Sequence, residues 1–319
     1  MKPQLVAFTA TLLCLLAAPA EAYYTVLQES YTPSNFFSKF NFYTAYPTHG
    51  FVQYLSKADA AARGMIRTFP DAVYIGVDNT TANAFSGRAS VRLESMATFQ
   101  RGLIILDLEH MPGGICGTWP AFWTLGDDWP NNGEIDIIEG VHDNAVNSMA
   151  LHTSAGCTIT GAGGTGSLTT SNCDVNAAGQ GPNQGCAISA TCTNSYGDGF
   201  NANGSGGIYA TEWNSAFIKI WYFPRGSVIP ADVLGPNPAP ETWGPPVGMF
   251  QGACNIDQKF RKHRIIINTT FCGDWAGNVW SDHPNCLAKE PTCNAFVQNH
   301  PEAFADAYWR IKSLRVFSS

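Results

Sequence analysis

Residues 132–140 read Asn132-Gly133-Glu134-Ile135-Asp136-Ile137-Ile138-Glu139-Gly140, three carboxylates within six positions and isoleucine in the gaps. Isoleucine branches at Cβ and favours a pleated, half-buried surface, so the stretch reads as a strand. Strand side chains alternate between faces, which puts Glu134 and Asp136 on one side and Ile135 and Ile137 on the other. Glu139 is out of step, because its separation from Glu134 is odd. One β-bulge at Ile137-Ile138 brings it back: both isoleucines stay buried and Glu139 joins the acidic face. Three like charges on one strand face repel one another, so the arrangement points to use and not to support.

The chain around it has 319 residues, a net charge of −7, 31 glycines, 19 prolines and 12% aromatic residues. Charged residues make up 13% of it, about half the usual share, as expected for a turn-rich β protein with a neutral surface. The excess of acid argues against nucleic acid as a partner, no basic run suggests a membrane surface, and a monomer is expected. Residues 1–22 have the pattern of a secretory signal: Lys2, an apolar run from Leu5 to Ala18, and Ala20-Glu21-Ala22 as a cleavage site. That run is too short for a membrane span. Residues 23–319 are read as one catalytic β-sandwich domain, exported from the cell.

Ten cysteines are present. Cys14 leaves with the signal, and export makes disulfides the default for the rest. Cys116 stands apart from the others and is expected to be the unpaired one. No C-x-x-C pair exists to suggest zinc. Sequons begin at Asn79, Asn203 and Asn268 and are expected to carry glycans.

Strands are expected at 73–77, 87–95, 102–108, 118–125, 149–153, 208–213, 217–223, 264–268 and 308–317, the most apolar being Gly102-Leu103-Ile104-Ile105-Leu106. In 87–95 the polar face carries Arg88 and Arg92, which normally means solvated charge; Arg92 is retained as a possible ligand. Residues 57–65 are read as a loop. Residues 156–207, rich in Gly, Ser, Thr, Asn and Cys, lack hydrophobic periodicity and are read as a stapled wall over one end of the site. The whole is an all-β, two-sheet antiparallel sandwich with long disulfide-stapled loops.

Trp119 and Trp123 share a strand face, and Trp129 follows in the loop before the acidic strand. An indole plate suits the C–H face of a sugar ring, so the three tryptophans beside the carboxylates suggest a carbohydrate platform. Paired carboxylates cleave glycosidic bonds, and a retaining pair stands about 5–5.5 Å apart. Glu134 and Glu139 would have Cα atoms roughly 13 Å apart at about 3.3 Å per residue, a gap two long side chains can nearly close. If Glu134 is ionised, its charge keeps Glu139 protonated. Calcium is the rival use of three carboxylates, but a strand rarely wraps an ion as a loop does. No cofactor or metal is expected.

Three motifs together, Trp119-Pro-Ala-Phe-Trp123, Gly133-Glu-Ile-Asp-Ile-Ile-Glu-Gly140 and Tyr209-Ala-Thr-Glu-Trp213, resemble family 16 of the glycoside hydrolases, in particular the secreted fungal laminarinases. The bulged E-x-D-x-x-E form resembles the laminarinase-like branch more than the unbulged E-x-D-x-E one. The resemblance implies a β-jelly-roll sandwich hydrolysing β-1,3- and mixed β-1,3/1,4-glucans with retention. It further implies that Glu134 is the nucleophile, Asp136 its helper and Glu139 the acid/base, with Arg92, Trp119, Trp123, His152 and Trp213 lining the cleft. Two alternatives are a cell-wall transglycosylase and a β-glucan-binding protein; the latter is expected to lack one or both of the two glutamates, and both are present here.

Overall fold

The computed structural model describes residues 24–45, 49–202 and 206–318. The leader, with Cys14, and the sequon at Asn203 lie outside them. Among the described residues no helix is long and apolar enough to cross a membrane.

Two eight-stranded sheets lie face to face. In the first, Gly102–His110 and Tyr308–Ser318 run through the middle, flanked by Gly207–Trp213, Ile218–Pro224 and Gly248–Phe250 on one side. Val73–Gly76 and Ile66–Thr68 complete the other side, and Val26–Tyr31 also pairs with Tyr308–Ser318. The second sheet has the order Ser167–Thr170, Cys186–Ser189, Ser148–His152, Glu134–Glu139, Thr118–Gly126, His263–Phe271, Arg92–Ser95, Phe40–Phe42. Every pairing in both is antiparallel; Val52–Tyr54 and Arg88–Ser90 form a separate parallel pair. The acidic strand is therefore central, where both edges are paired and its position is least free to shift.

The core lies between the sheets. Ile104, Leu106 and Leu108 from the first sheet meet Phe122, Ile135, Ile137, Ile138, Met149, Leu151, Ile265 and Ile267 from the second. Alternation then sends Leu103, Ile105, Ile208, Trp221 and Phe223 to the outer face of the first sheet. The proline-rich loop covers them there: Trp243 packs edge-on against Trp221 at 5.4 Å and Phe223 at 5.7 Å. The second sheet's outer face stays open, and it carries the acidic residues.

Three expectations fail for reasons that can be named. Residues 87–95 are not one strand but two, Arg88–Ser90 and Arg92–Ser95, and neither arginine is solvated. Arg88 is wholly buried and gives its donors to the carbonyls of Val297, Gln298, Asp78 and Thr81. Residues Lys57–Ala62 form a helix and not a loop, capped by Ser56 Oγ, which accepts from the Asp59 N–H. Cys116 is bonded to Cys286, and among the described residues Cys192 is the free cysteine. The other bridges join Cys157 to Cys254, Cys173 to Cys186 and Cys272 to Cys293.

Candidate active site

The ladder register shows how the acidic strand is built. Against Thr118–Gly126, Glu134 faces Leu125, Asp136 faces Trp123, and after a shift Ile138 faces Phe122 and Glu139 faces Ala121. On the other edge Asp136 faces Ala150 and Glu139 faces Ser148, so one residue opposes two. This is the bulge expected from the phase of the isoleucines. Ile137 and Ile138 are both in the core. An unbulged register would turn Ile138 outward, forfeiting about 1.5–3 kcal/mol of side-chain burial, and would drive the Glu139 charge inward at a penalty of several kcal/mol more. The bulge wins by that margin.

Glycines bound the strand for two different reasons. Gly133 has φ of +75°, a conformation that L side chains rarely adopt. At Gly140 a Cβ would lie 2.7 Å from the ring of Tyr196, so only glycine lets the chain pass that ring.

Residues opposite one another in a ladder point the same way, and rows across the sheet assemble the site. One row brings Leu125, Glu134 and His152 together, the next Trp123, Asp136 and Ala150, and the third Asn268, Ala121, Glu139 and Ser148. Small Ala121 faces Glu139 across the ladder. Trp119 turns its indole edge to that carboxyl, and Nε1–H donates to Glu139 Oε1 at 2.8 Å. Trp123 Nε1–H donates to Asn268 Oδ1 at 2.8 Å, and the Arg92 guanidinium stacks 5.0 Å from the Trp123 ring and 5.0 Å from that of Tyr43. Arg92 also pairs with Glu94 at 2.9 Å. It is almost wholly buried beneath two aromatic plates, so it stiffens the platform from below.

Burial dominates the electrostatics. It pushes the Glu139 carboxyl up to about 7; the charge on His152 and the Trp119 N–H pull it down, and the charge on Glu134 adds to the rise. Burial also pushes Asp136, 1% exposed, well above the usual carboxylate range, with Glu134 and Glu139 adding to it. Burial of His152 opposes its protonation. Contact with Asp136 and the charges of Glu134, Asp136 and Glu139 outweigh that and push it up to about 10. His152 Nε2 lies 3.3 Å from Asp136 Oδ2, and Nδ1 lies 3.1 Å from Asn183 Oδ1. The cluster thus keeps protons that the separate groups would release, which limits its negative charge. Glu134, Asp136 and His152 could offer donor atoms within 4.8 Å of one another to a cation. The contact between His152 and Asp136, which favours a protonated imidazole, competes with that use.

Of the residues expected at the site, Glu134, Asp136, Glu139, Trp119, Trp123 and His152 are brought together, with Arg92 beneath. Trp129, 40% exposed, stands in the hairpin loop that leads into the acidic strand. Trp213 is not in the cleft. It is 2% exposed on the inner face of the first sheet, against His263 at 4.8 Å and Phe260 at 6.5 Å. Strand alternation explains it, since Tyr209 and Trp213 share the inward face while Ile208 and Ala210 point out. Asn268 is 4% exposed, and its amide is committed to Trp123 and to the Tyr54 hydroxyl. That position is closed to a glycan, whereas Asn79 is exposed. Within the described part of residues 156–207, Ser167–Thr170 and Cys186–Ser189 widen the site's sheet sideways, and Asn183 reaches His152.

One aromatic was missed. Trp275, half-buried, stands edge-on to Trp119 at 5.8 Å. It lies just beyond Cys272, inside the loop closed by the Cys272–Cys293 bridge. A tryptophan inside a stapled loop was the available signal.

Removing the Trp119 donor has a predictable sign. Its hydrogen bond favours ionised Glu139, so Trp119→Phe raises the Glu139 pKa, and the basic limb of the kcat/KM profile moves to higher pH. A pH–rate profile of the variant checks this; a basic limb that stays put or moves down rejects the contact.

A jelly-roll sandwich with paired carboxylates on its open face defines a class, the glycoside hydrolases that work through two acidic residues. Residues 40–317 match the family model described as "XgeA-like, catalytic GH16 domain", and the chain belongs to that family, glycoside hydrolase family 16. The endo-1,3(4)-beta-glucanase of Arthroderma benhamiae is 48% identical over 312 residues, covering 96% of this chain and 68% of that protein. Aspergillus relatives are longer: the chain spans 45% of one from Aspergillus fumigatus and 41% of one from Aspergillus niger. Among solved structures, laminarinase 16A from Phanerochaete chrysosporium, with 6-O-glucosyl-laminaritriose in both donor and acceptor sites, has a TM-score of 0.85 at 41% identity, covering 93% of this chain and 99% of that one. An elongating family 16 β-1,3-glucosyltransferase has a TM-score of 0.84 at 42% identity, covering 93% and 100%.

Proposed function

We propose that this chain is a secreted, retaining endo-β-1,3(4)-glucanase that hydrolyses laminarin-type and mixed-linkage glucans. The observation that carries the reading is the bulge, which sets two glutamates on one face of the sheet; burial there pushes Glu139 up to about 7. Glu134 attacks the anomeric carbon, the glycosidic C–O bond breaks, and Glu139 gives its proton to the departing oxygen. The product is a glycosyl ester on Glu134. Esterification removes the Glu134 charge, one of the causes that raise Glu139, so Glu139 is then the stronger acid and sits ionised as a base. It takes a proton from water, which attacks the same carbon and frees Glu134. Two inversions give net retention.

Asp136 and His152 act beneath Glu134. His152, held protonated, offsets the charge of its neighbours, and Asp136, in the next ladder row, modulates the charge of Glu134. Trp119, Trp123, Trp129 and Trp275 supply flat apolar contact for successive glucose rings. All of these come from one chain, in keeping with a monomer acting through a single domain over residues 23–319. Four disulfides favour an oxidising compartment, in keeping with export under the leader at residues 1–22 and with a glycan at Asn79.

The likeness to a glucosyltransferase favours a second reading, in which a sugar hydroxyl replaces water in the second step. One experiment addresses both. Proton NMR of early laminarin digestion should show the β-anomer first, and α-first products would end the retaining mechanism. Sizing the same products with a labelled acceptor separates hydrolysis, which only shortens chains, from transfer, which also lengthens them.

A further inference from the structure

The bulge leaves a main-chain problem that a side chain solves. Because Asp136 faces Ala150 and Glu139 faces Ser148, the neighbouring strand offers Met149 alone to Ile137 and Ile138. A ladder short of one residue leaves backbone groups without ladder partners. Asn147 takes two of them: Nδ2–H donates to the Ile137 carbonyl at 2.8 Å, and Oδ1 accepts from the Glu139 N–H at 2.9 Å. A carboxamide carries the same donor and acceptor as a peptide group, so the side chain stands in for the missing ladder residue. A carbonyl only accepts and an N–H only donates, which fixes the amide in one orientation.

Asn147 is itself held. Its N–H donates to Ser195 Oγ at 3.1 Å, and that hydroxyl donates to the Cys192 carbonyl at 2.7 Å. Its carbonyl accepts from the Ala190 N–H at 2.9 Å, and the residue is wholly buried. The bulge is thus clamped from outside its own strand, by a segment fixed to the sheet.

We propose that Asn147 is a positioning residue for the reaction, fixing the bulge in the one geometry that sets Glu139 level with Glu134. This rests on the reading of Glu139 as acid/base. Without the amide, the Ile137 carbonyl and the Glu139 N–H must seek other partners, and the Glu139 main chain moves. Glu134 lies in the regular part of the ladder, between Leu125 and His152, and keeps its place. The damage therefore falls on proton donation and not on nucleophilic attack.

That asymmetry supplies the test. Asn147→Ala should lower kcat/KM on laminarin by about 10- to 100-fold, the scale of an ångström of misplacement. On a dinitrophenyl glycoside of a laminari-oligosaccharide, whose leaving group departs without a proton, kcat/KM should stay near wild type. An equal fall on both substrates, or no fall on laminarin, overturns the proposal. If Asn147→Ala loses its near-UV circular dichroism, Asn147→Asp decides instead. Its protonated acid donates to the Ile137 carbonyl as the amide does and its carboxylate cannot, so the variant-to-wild-type ratio on laminarin should rise as the solution is acidified; a flat ratio overturns the proposal. Glu139→Ala run alongside separates the two claims. Normal laminarin turnover in that variant removes the acid/base reading and the positioning role with it. Loss there with an unimpaired Asn147→Ala removes the positioning role alone.

Discussion

Replacing Glu134 by glutamine lowers kcat on laminarin on the order of 10⁴-fold or more, the scale on which removal of a covalent nucleophile acts. The amide is nearly isosteric, so the ladder contacts with Leu125 and His152 remain and substrate still binds. A neutral amide cannot form the glycosyl ester. Mass spectrometry gives a second readout: a 2-fluoro-glycoside inactivator, which slows hydrolysis of the ester, should label wild-type enzyme on the peptide containing Glu134 and leave Glu134→Gln unlabelled. A label on Glu139, or near-normal turnover of the variant, exchanges or abolishes the assigned roles. Loss of a carboxylate from this cluster also relieves the Coulomb pressure on Asp136, Glu139 and His152, since Glu134 contributes to all three shifts. Any residual activity of the variant should therefore decline from a lower pH than that of wild type.

Replacing Glu139 by glutamine costs about 10²–10⁴-fold on glucan, the usual worth of a positioned general acid or base. Its pH signature is as informative as its size. In the proposed mechanism Glu139 holds its proton for the first step, and burial pushes its pKa up to about 7. Wild-type kcat/KM should therefore fall as the pH rises through that value, because the deprotonated form cannot assist the leaving oxygen. In Glu139→Gln that limb disappears, leaving a low, flat profile on the alkaline side. A variant that keeps the wild-type alkaline limb would show that another group titrates there, and His152, pushed up to about 10, is too basic to be that group.

The parts legible in the sequence were those that depend on local periodicity. The odd spacing of Glu134 and Glu139 demanded a bulge, because hydrophobic burial of both isoleucines and exposure of both glutamates cannot otherwise coexist on one strand. The tryptophans of 119–123 followed from the same count. What was not legible depends on residues far along the chain. Arg88 is buried because carbonyls of Val297 and Gln298, more than two hundred residues away, replace water around its guanidinium. The Cys116–Cys286 bridge spans 170 residues, and pairing over that distance is set by topology, which spacing does not reveal. Trp213 was drawn to the site by its motif, although alternation with Ile208 and Ala210 on the outward face already pointed it inward. Asn268 matches a glycan sequon, yet it sits in a strand interior opposite Ala121, where two side chains claim its amide. The helix at Lys57–Ala62 was readable: Ser56 and Asp59 form a side-chain cap three residues apart, a signal outweighed by the loop-like neighbourhood.

The bulge has a bearing on how such enzymes diverge. Because Ile137 and Ile138 together oppose Met149, losing Ile138 does not rotate Glu139 into the core, as it would if the pair were a spacer between two faces. It leaves one residue opposite one, a regular ladder, and an E-x-D-x-E strand with all three carboxylates on the same side. The bulged and unbulged forms of this strand are therefore a single-codon deletion apart, with no wrongly faced intermediate between them. The residue stranded by such a step is Asn147, whose amide would meet backbone groups already paired. Lineages that dropped the extra isoleucine would be free to lose the asparagine, and lineages that kept it would not.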